Sequence, residues 1–203
     1  MNQNLSKELA QKIMETKGEA RGTALKTDSD FVLREKGEEG LMAVEKTLKE
    51  LGFPIKYKEI NTMEFYPIGL RIISILAIKE TFVLSYEQIE EMGQSAPKVS
   101  LIVKLFLKYF LILSMEKAIQ EIPWMWQSYY TVGSLNAVDY DKKNKNLTII
   151  IEDCNLHPAF CAYMKGFFKT GIEIITKSSV IEAKEIKCFF RGDKKHEFLF
   201  QWR

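Results

Sequence analysis

The chain begins with Leu5, Leu9, Ile13 and Met14 at helical spacing among Lys and Glu, a pattern that predicts an amphipathic first helix stopping near Gly18. A second helix is expected over Leu25–Lys36, ending at Gly37. A third is expected from Glu38 to Leu51, with Leu41, Val44, Leu48 and Leu51 on one face and Gly52 as its stop. Phe53 and Pro54 turn the chain, and the stretch Tyr57–Phe65 reads as irregular or briefly extended. From Gly69 to Phe82 apolar residues occupy nearly all sides of a helix, so this segment is expected at the centre. Tyr86–Met92 reads as a short helix before Gly93. Ser95 as N-cap and Pro97 in the first turn then open a longer, buried helix to Leu113. A further helical stretch, Ser114–Ile122, is expected to end at Pro123.

The period then changes. Leu135–Tyr140 and Leu147–Glu152 alternate as strands around the Lys142/Lys143/Asn144/Lys145 turn, and Asn155 with Pro158 is expected to start a helix ending at Gly171. Ser179–Phe190 and His196–Trp202 form a second hairpin, with His196, Phe198, Phe200 and Trp202 on one face of the last strand. The expected fold class is α+β: an N-terminal helical layer followed by a β-β-α-β-β antiparallel sheet unit. Residues 1–20 are expected as a helical arm and residues 21–203 as one domain.

Composition narrows the function classes. Twenty-nine basic and 27 acidic residues in 203 leave a net charge of +2, too weak a field to predict nucleic-acid binding. Hydrophobic residues at 46% and charged residues at 28% fit a folded globular domain. Three cysteines, an odd number, point to a reducing, cytoplasmic setting, and Met1–Lys17 lacks the apolar core of a secretory leader. Val99–Leu113 is the greasiest stretch. It is interrupted by Ser100, Lys104 and Lys108 and falls short of the ~20 apolar residues that span a bilayer.

Catalytic patterns are missing: the sequence has no phosphate-binding glycine loop, no nucleophile elbow and no paired-histidine zinc helix. Its only histidines are His157 and His196. A hairpin sets Cys188 opposite His196, Cys161 on the covering helix can reach both, and Glu182 shares the Cys188 strand. Two thiolates, an imidazole and a carboxylate make a tetrahedral zinc set. The competing reading is two ordinary buried cysteines and a histidine hydrogen-bonded at a strand end. The aromatic run from Trp124 to Tyr130 is either core, pocket wall or interface.

Cys161, Gly166, Gly171, Glu182, Cys188 and Gly192, with His196 in place of a second hairpin cysteine, resemble the pattern of the 4-vinyl-reductase-type domain. The order of helices and then β-β-α-β-β is similar to the wider group that joins such domains with heme-nitric-oxide-binding domains and the small core subunits of vesicle-tethering complexes. Arg21-Gly22-Thr23 and Arg34-Glu35-Lys36-Gly37 resemble a related uncharacterised family found in myxobacteria. The resemblance is distinctive over Cys161–Trp202 and topological over Arg21–Glu152. It implies a small-molecule-binding or assembly role, a homodimer, and zinc held by Cys161, Glu182, Cys188 and His196. Two departures stand out. No histidine precedes His157 and the Tyr-x-Ser-x-Arg motif is absent, which argues against heme in the usual histidine-ligated mode. Ala183 occupies one of the two acidic positions near Glu182, so the carboxylate depends on strand register, with or without a bulge.

The leading expectation is a non-catalytic domain that binds or senses an apolar small molecule or lipid, lined by Leu76, Phe106, Phe110, Trp124, Trp126, Phe160 and Phe167. The alternatives are a protein-interaction module without ligand and a tetrapyrrole-related enzyme.

Overall fold

A computed structural model describes residues 5–99 and 101–203. Seven helices and six strands follow one another as α1 (Lys7–Met14), β1 (Glu19–Arg21), α2 (Gly22–Glu50), β2 (Phe65–Pro67), α3 (Ile68–Thr81), α4 (Tyr86–Val99), α5 (Leu101–Phe110), α6 (Met115–Tyr129), β3 (Ser134–Asp141), β4 (Asn146–Glu152), α7 (Pro158–Thr176), β5 (Val180–Lys187) and β6 (His196–Trp202). The expected helical layer and the β-β-α-β-β unit are both present, the latter as an antiparallel sheet of order β3-β4-β6-β5 with α7 across it.

Alternation decides which side of the sheet is inside. Leu147, Ile149 and Ile151 of β4 stand beside Phe200, Phe198 and His196 of β6, and this face is buried. Phe168 of α7 packs edge-on against both Phe198 and Phe200 at 5.8 and 6.4 Å between ring centroids. At the hairpin tip Asp141 Oδ1 accepts from the backbone N–H groups of Lys143 and Asn144, so the lysine cluster is a turn held by its own Asx contacts.

Several helix boundaries differ from expectation. Gly37 is where expected: at φ 66° and ψ −169° it is non-helical, so α2 is two helices that meet at a kink there. Gly93, by contrast, does not end a helix. It sits mid-α4 against α7, where a Cβ on Gly93 would come within 1.9 Å of the Tyr163 carbonyl oxygen. Reciprocally, a Cβ on Gly166 would come within 1.9 Å of Glu90 O. Side-chain-free positions on both helices are what allow this crossing. Ser95 therefore lies inside α4 and donates to Met92 O at 2.7 Å instead of capping a helix. Asn155 does not cap α7; His157 does, its Nδ1 accepting from Ala159 N at 3.0 Å, and the helix runs past Gly171 to Thr176.

Within the stretch Val99–Leu113, expected as part of one buried helix, α5 lies at the surface. Val103, Leu107 and Phe110 face inward at i, i+4 and i+7, while Leu105 and Tyr109, and Leu111 and Ile112 just beyond its end, are exposed. Ala10 and Ile13 of α1 belong to the same core that extends to Trp202. Two short strands went unforeseen: β1 pairs with β2, and Ala20 bridges to Tyr130 just past α6. Among the described residues no helix is long and apolar enough to cross a membrane.

Candidate functional site

The last hairpin and α7 bring Cys161, Cys188 and His196 together, as the spacing predicts. Cys161 Sγ lies 3.6 Å from His196 Nδ1, and all three residues are buried. The carboxylate that joins them is Glu185, with Oε1 3.2 Å from His196 Nδ1, and the four ligand atoms lie within 4.8 Å of one another. Glu182, the carboxylate expected here, is not among them. Register explains the exchange. Bulges interrupt β5 on either side of 182–185, so Ala183 and Glu185 pair with Phe200 and Phe198 on the inner face. Glu182 pairs with Gln201 on the other face, where it meets Lys184.

The donor set fits zinc. Tetrahedral zinc with bonds of about 2.3 Å to sulfur and about 2.0–2.1 Å to nitrogen or oxygen separates its ligands by about 3.3–3.8 Å, close to the Cys161–His196 and His196–Glu185 spacings. Burial pushes the Cys161 thiol up, and the Glu185 carboxylate and Cys188 add to it; burial also raises Cys188. The thiols therefore hold their protons until a cation replaces them. Asp193 Oδ2 accepts from Cys188 N at 2.8 Å, and Arg191 holds Glu185 by its side chain and backbone. A cleft of about 280 Å³, bordered by Tyr86, Lys165, Phe190 and Arg191, leads to the cluster. Cys154, also buried and pushed up to about 12 by that burial, lies outside the cluster.

The second candidate lies between the helical layer and the sheet. Two adjoining apolar cavities of about 50 Å³ each share Leu107, Met125, Leu135, Phe167 and Phe168 as walls. Of the residues expected to line a pocket, Trp126 borders the first, Phe110 the second and Phe167 both. Leu76 and Phe160 are buried in the core away from both cavities, and Phe160 packs edge-on against Tyr130. Trp124 is 53% exposed, and the side chain of Phe106 lies outside what the structure describes.

Sequence reading passed over a charged pair beside the first cavity. Arg71 of α3 is wholly buried, ion-paired through Nη1 with the equally buried Asp28 of α2, and stacked over the Tyr163 ring at 4.5 Å. Asp28 Oδ2 also accepts from Ser74 Oγ at 2.7 Å, and Ser74 lies 2.7 Å from the Tyr57 hydroxyl. The signal was an arginine inside a helix apolar on every side, because such a charge requires a buried partner.

Solved structures sharing this arrangement are H-NOX domains. One is an oxygen-binding H-NOX domain related to soluble guanylate cyclases, described as an oxygen complex. It superposes with a TM-score of 0.63 at 15% identity, covering 90% of this chain and 95% of that one. The chain folds like an H-NOX domain. An unliganded Fe(II) H-NOX mutant from K. algicida gives 0.63 at 13% identity, covering 90% and 96%, and a structure from a study of H-NOX activation gives 0.63 at 14% with the same coverage. No family model and no curated protein matches the sequence. At such identities the H-NOX likeness is one of fold.

Heme figures in the descriptions of two of the solved structures that share the fold, and the residues present here do not fit a histidine-ligated heme. Both histidines are engaged elsewhere, His157 as the cap of α7 and His196 in the cysteine cluster. The cavities on the H-NOX-like interior are far smaller than the roughly 300–1,000 Å³ of ordinary ligand pockets.

Proposed function

We propose that this chain is a non-catalytic binding or sensing domain that takes an apolar small molecule between its helical layer and its sheet. The observation that carries the reading is the pair of adjoining apolar cavities behind α5, in a fold whose solved examples include an oxygen-binding domain. Met125 and Leu107 at the shared wall are flexible side chains able to make room, and α5, a surface helix whose inner face supplies Val103, Leu107 and Phe110 to the cavity walls, is the element that would shift. Native mass spectrometry of the purified protein is expected to show a bound lipid or hydrocarbon. A protein that stays empty and takes up no apolar probe overturns the proposal.

Zinc at Cys161, Glu185, Cys188 and His196 belongs to the same proposal. It would fasten α7 to the β5–β6 hairpin and so fix one wall of the interior. Stoichiometric zinc in reduced protein, lost in Cys188→Ser, is the expected result. Zinc-free wild type would leave ordinary buried thiols.

A second reading, an assembly module acting as a homodimer, draws on the exposed apolar residues Leu105, Tyr109, Ile112 and Trp124. Light scattering decides it: a dimer converted to monomer by Ile112→Glu supports this reading, and a monomeric wild type removes it.

A further inference from the structure

Two residues along from the inward row of Val103, Leu107 and Phe110, a second row of Leu105, Tyr109 and Ile112 repeats the same i, i+4, i+7 spacing. Two residues turn an α-helix by about 200°, so this row lies on the opposite side of α5 and faces solvent. Leu105 is 57% and Ile112 80% exposed, and Leu111 beside them is exposed as well. Large apolar side chains grouped in this way mark a contact surface, whereas singly scattered ones need no explanation. Lys104 and Lys108, one helical turn apart, form an exposed row along the edge of the apolar one. No acidic residue stands three or four positions from either, and from Met92 to Met115 the chain carries Lys98, Lys104 and Lys108 and no Asp or Glu. The net charge of +2 therefore conceals a locally cationic segment. The lysine turn between β3 and β4 adds to it. Glu116, in the first turn of α6, has its pKa lowered chiefly by its own backbone N–H and by the Ser114 cap, and Lys142 contributes, so the exposed Lys142, Lys143 and Lys145 lie near the junction of α5 and α6.

This combination suits an anionic bilayer surface better than a second copy of the chain. A two-fold contact of α5 on α5 would set Lys104 and Lys108 against lysines, with no carboxylate on α5 to oppose them. At a bilayer the apolar row enters the acyl boundary, a tyrosine ring sits at headgroup depth, and lysine stems extend their charge to lipid phosphates. We infer that the outer face of α5 docks in the plane of an anionic membrane, with Leu105, Tyr109, Leu111 and Ile112 entering the headgroup boundary and Lys104 and Lys108 meeting the lipid charge. The inference goes beyond the proposed interior ligand and does not depend on it.

Flotation of the full chain with vesicles of phosphatidylcholine alone, and of phosphatidylcholine with about one-third phosphatidylserine, tests it. The anionic vesicles are expected to hold the protein about tenfold or more tighter, a preference that shrinks as salt rises. Lys104→Glu with Lys108→Glu is expected to erase that preference, and Leu105→Ser with Ile112→Ser to abolish binding to either vesicle. All four side chains are solvent-exposed, so thermal melts of both double variants are expected to match the wild type. A protein that floats with neither vesicle overturns the inference, as does vesicle binding that both double variants leave unchanged. A wild-type dimer in light scattering that Leu105→Ser with Ile112→Ser converts to monomer also overturns it, and gives the face to a second copy. None of these results bears on the interior ligand.

Discussion

At the scale of single residues, the difference between Glu182 and Glu185 is a difference of face. Strict alternation forwards from His196 identifies the inner residues of β6, because β6 has no bulge in its pairing with β4. The same counting fails on β5, where an extra residue precedes Glu182 and another follows Glu185. Glu185→Gln is therefore expected to weaken zinc binding by about 10- to 100-fold, whereas Glu182→Gln leaves it unchanged; competition with a chromophoric chelator reads both. His157 makes a second residue-level prediction. Burial, with help from Lys79, lowers its pKa from the ordinary 6.5 to about 4, so its ring stays neutral and Nδ1 can accept from Ala159 N. Between those two values the unfolded chain binds more protons than the folded one. This contribution is complete above about pH 6.5 and is lost as pH falls towards 4. In thermal melts His157→Asn, which keeps a capping acceptor without the titration, is expected to flatten the dependence over that window.

Elements were more legible than their ends. Helical and strand periodicity located every long element, because burial of one face imposes that period directly. Glycine read as a stop held at Gly37 and Gly52 but failed at Gly93 and Gly171, which lie inside α4 and α7. Gly93 and Gly166 are present for want of a side chain: each lies against a backbone carbonyl of the other helix. Neither carbonyl can retreat without opening its own helix, so Gly166→Ala is expected to cost about 1–3 kcal/mol in urea denaturation. Gly171, with open space at its Cβ position inside the same helix, is expected to gain slightly from alanine. Opposite signs at two glycines of one helix would separate packing from propensity. The greasy stretch ending at Leu113 was misjudged for a related reason. Apolar content alone does not say how many faces are covered, and Lys104 and Lys108 marked the uncovered one.

At the scale of the molecule, Arg71 ties three helices together: it pairs with Asp28 of α2 from its place on α3 and stacks on Tyr163 of α7. A buried ion pair is seldom the most stable solution for such a junction, since the desolvation of both charges offsets most of their attraction. Removing one partner is another matter. Asp28→Ala leaves a guanidinium buried with no counter-charge and is expected to cost about 3–5 kcal/mol. Replacing the pair together, as Asp28→Leu with Arg71→Met, removes both charges and is expected to be neutral or stabilising in the same melts. A double variant that is destabilised as much as Asp28→Ala alone would instead make the pair a structural strut between α2 and α3.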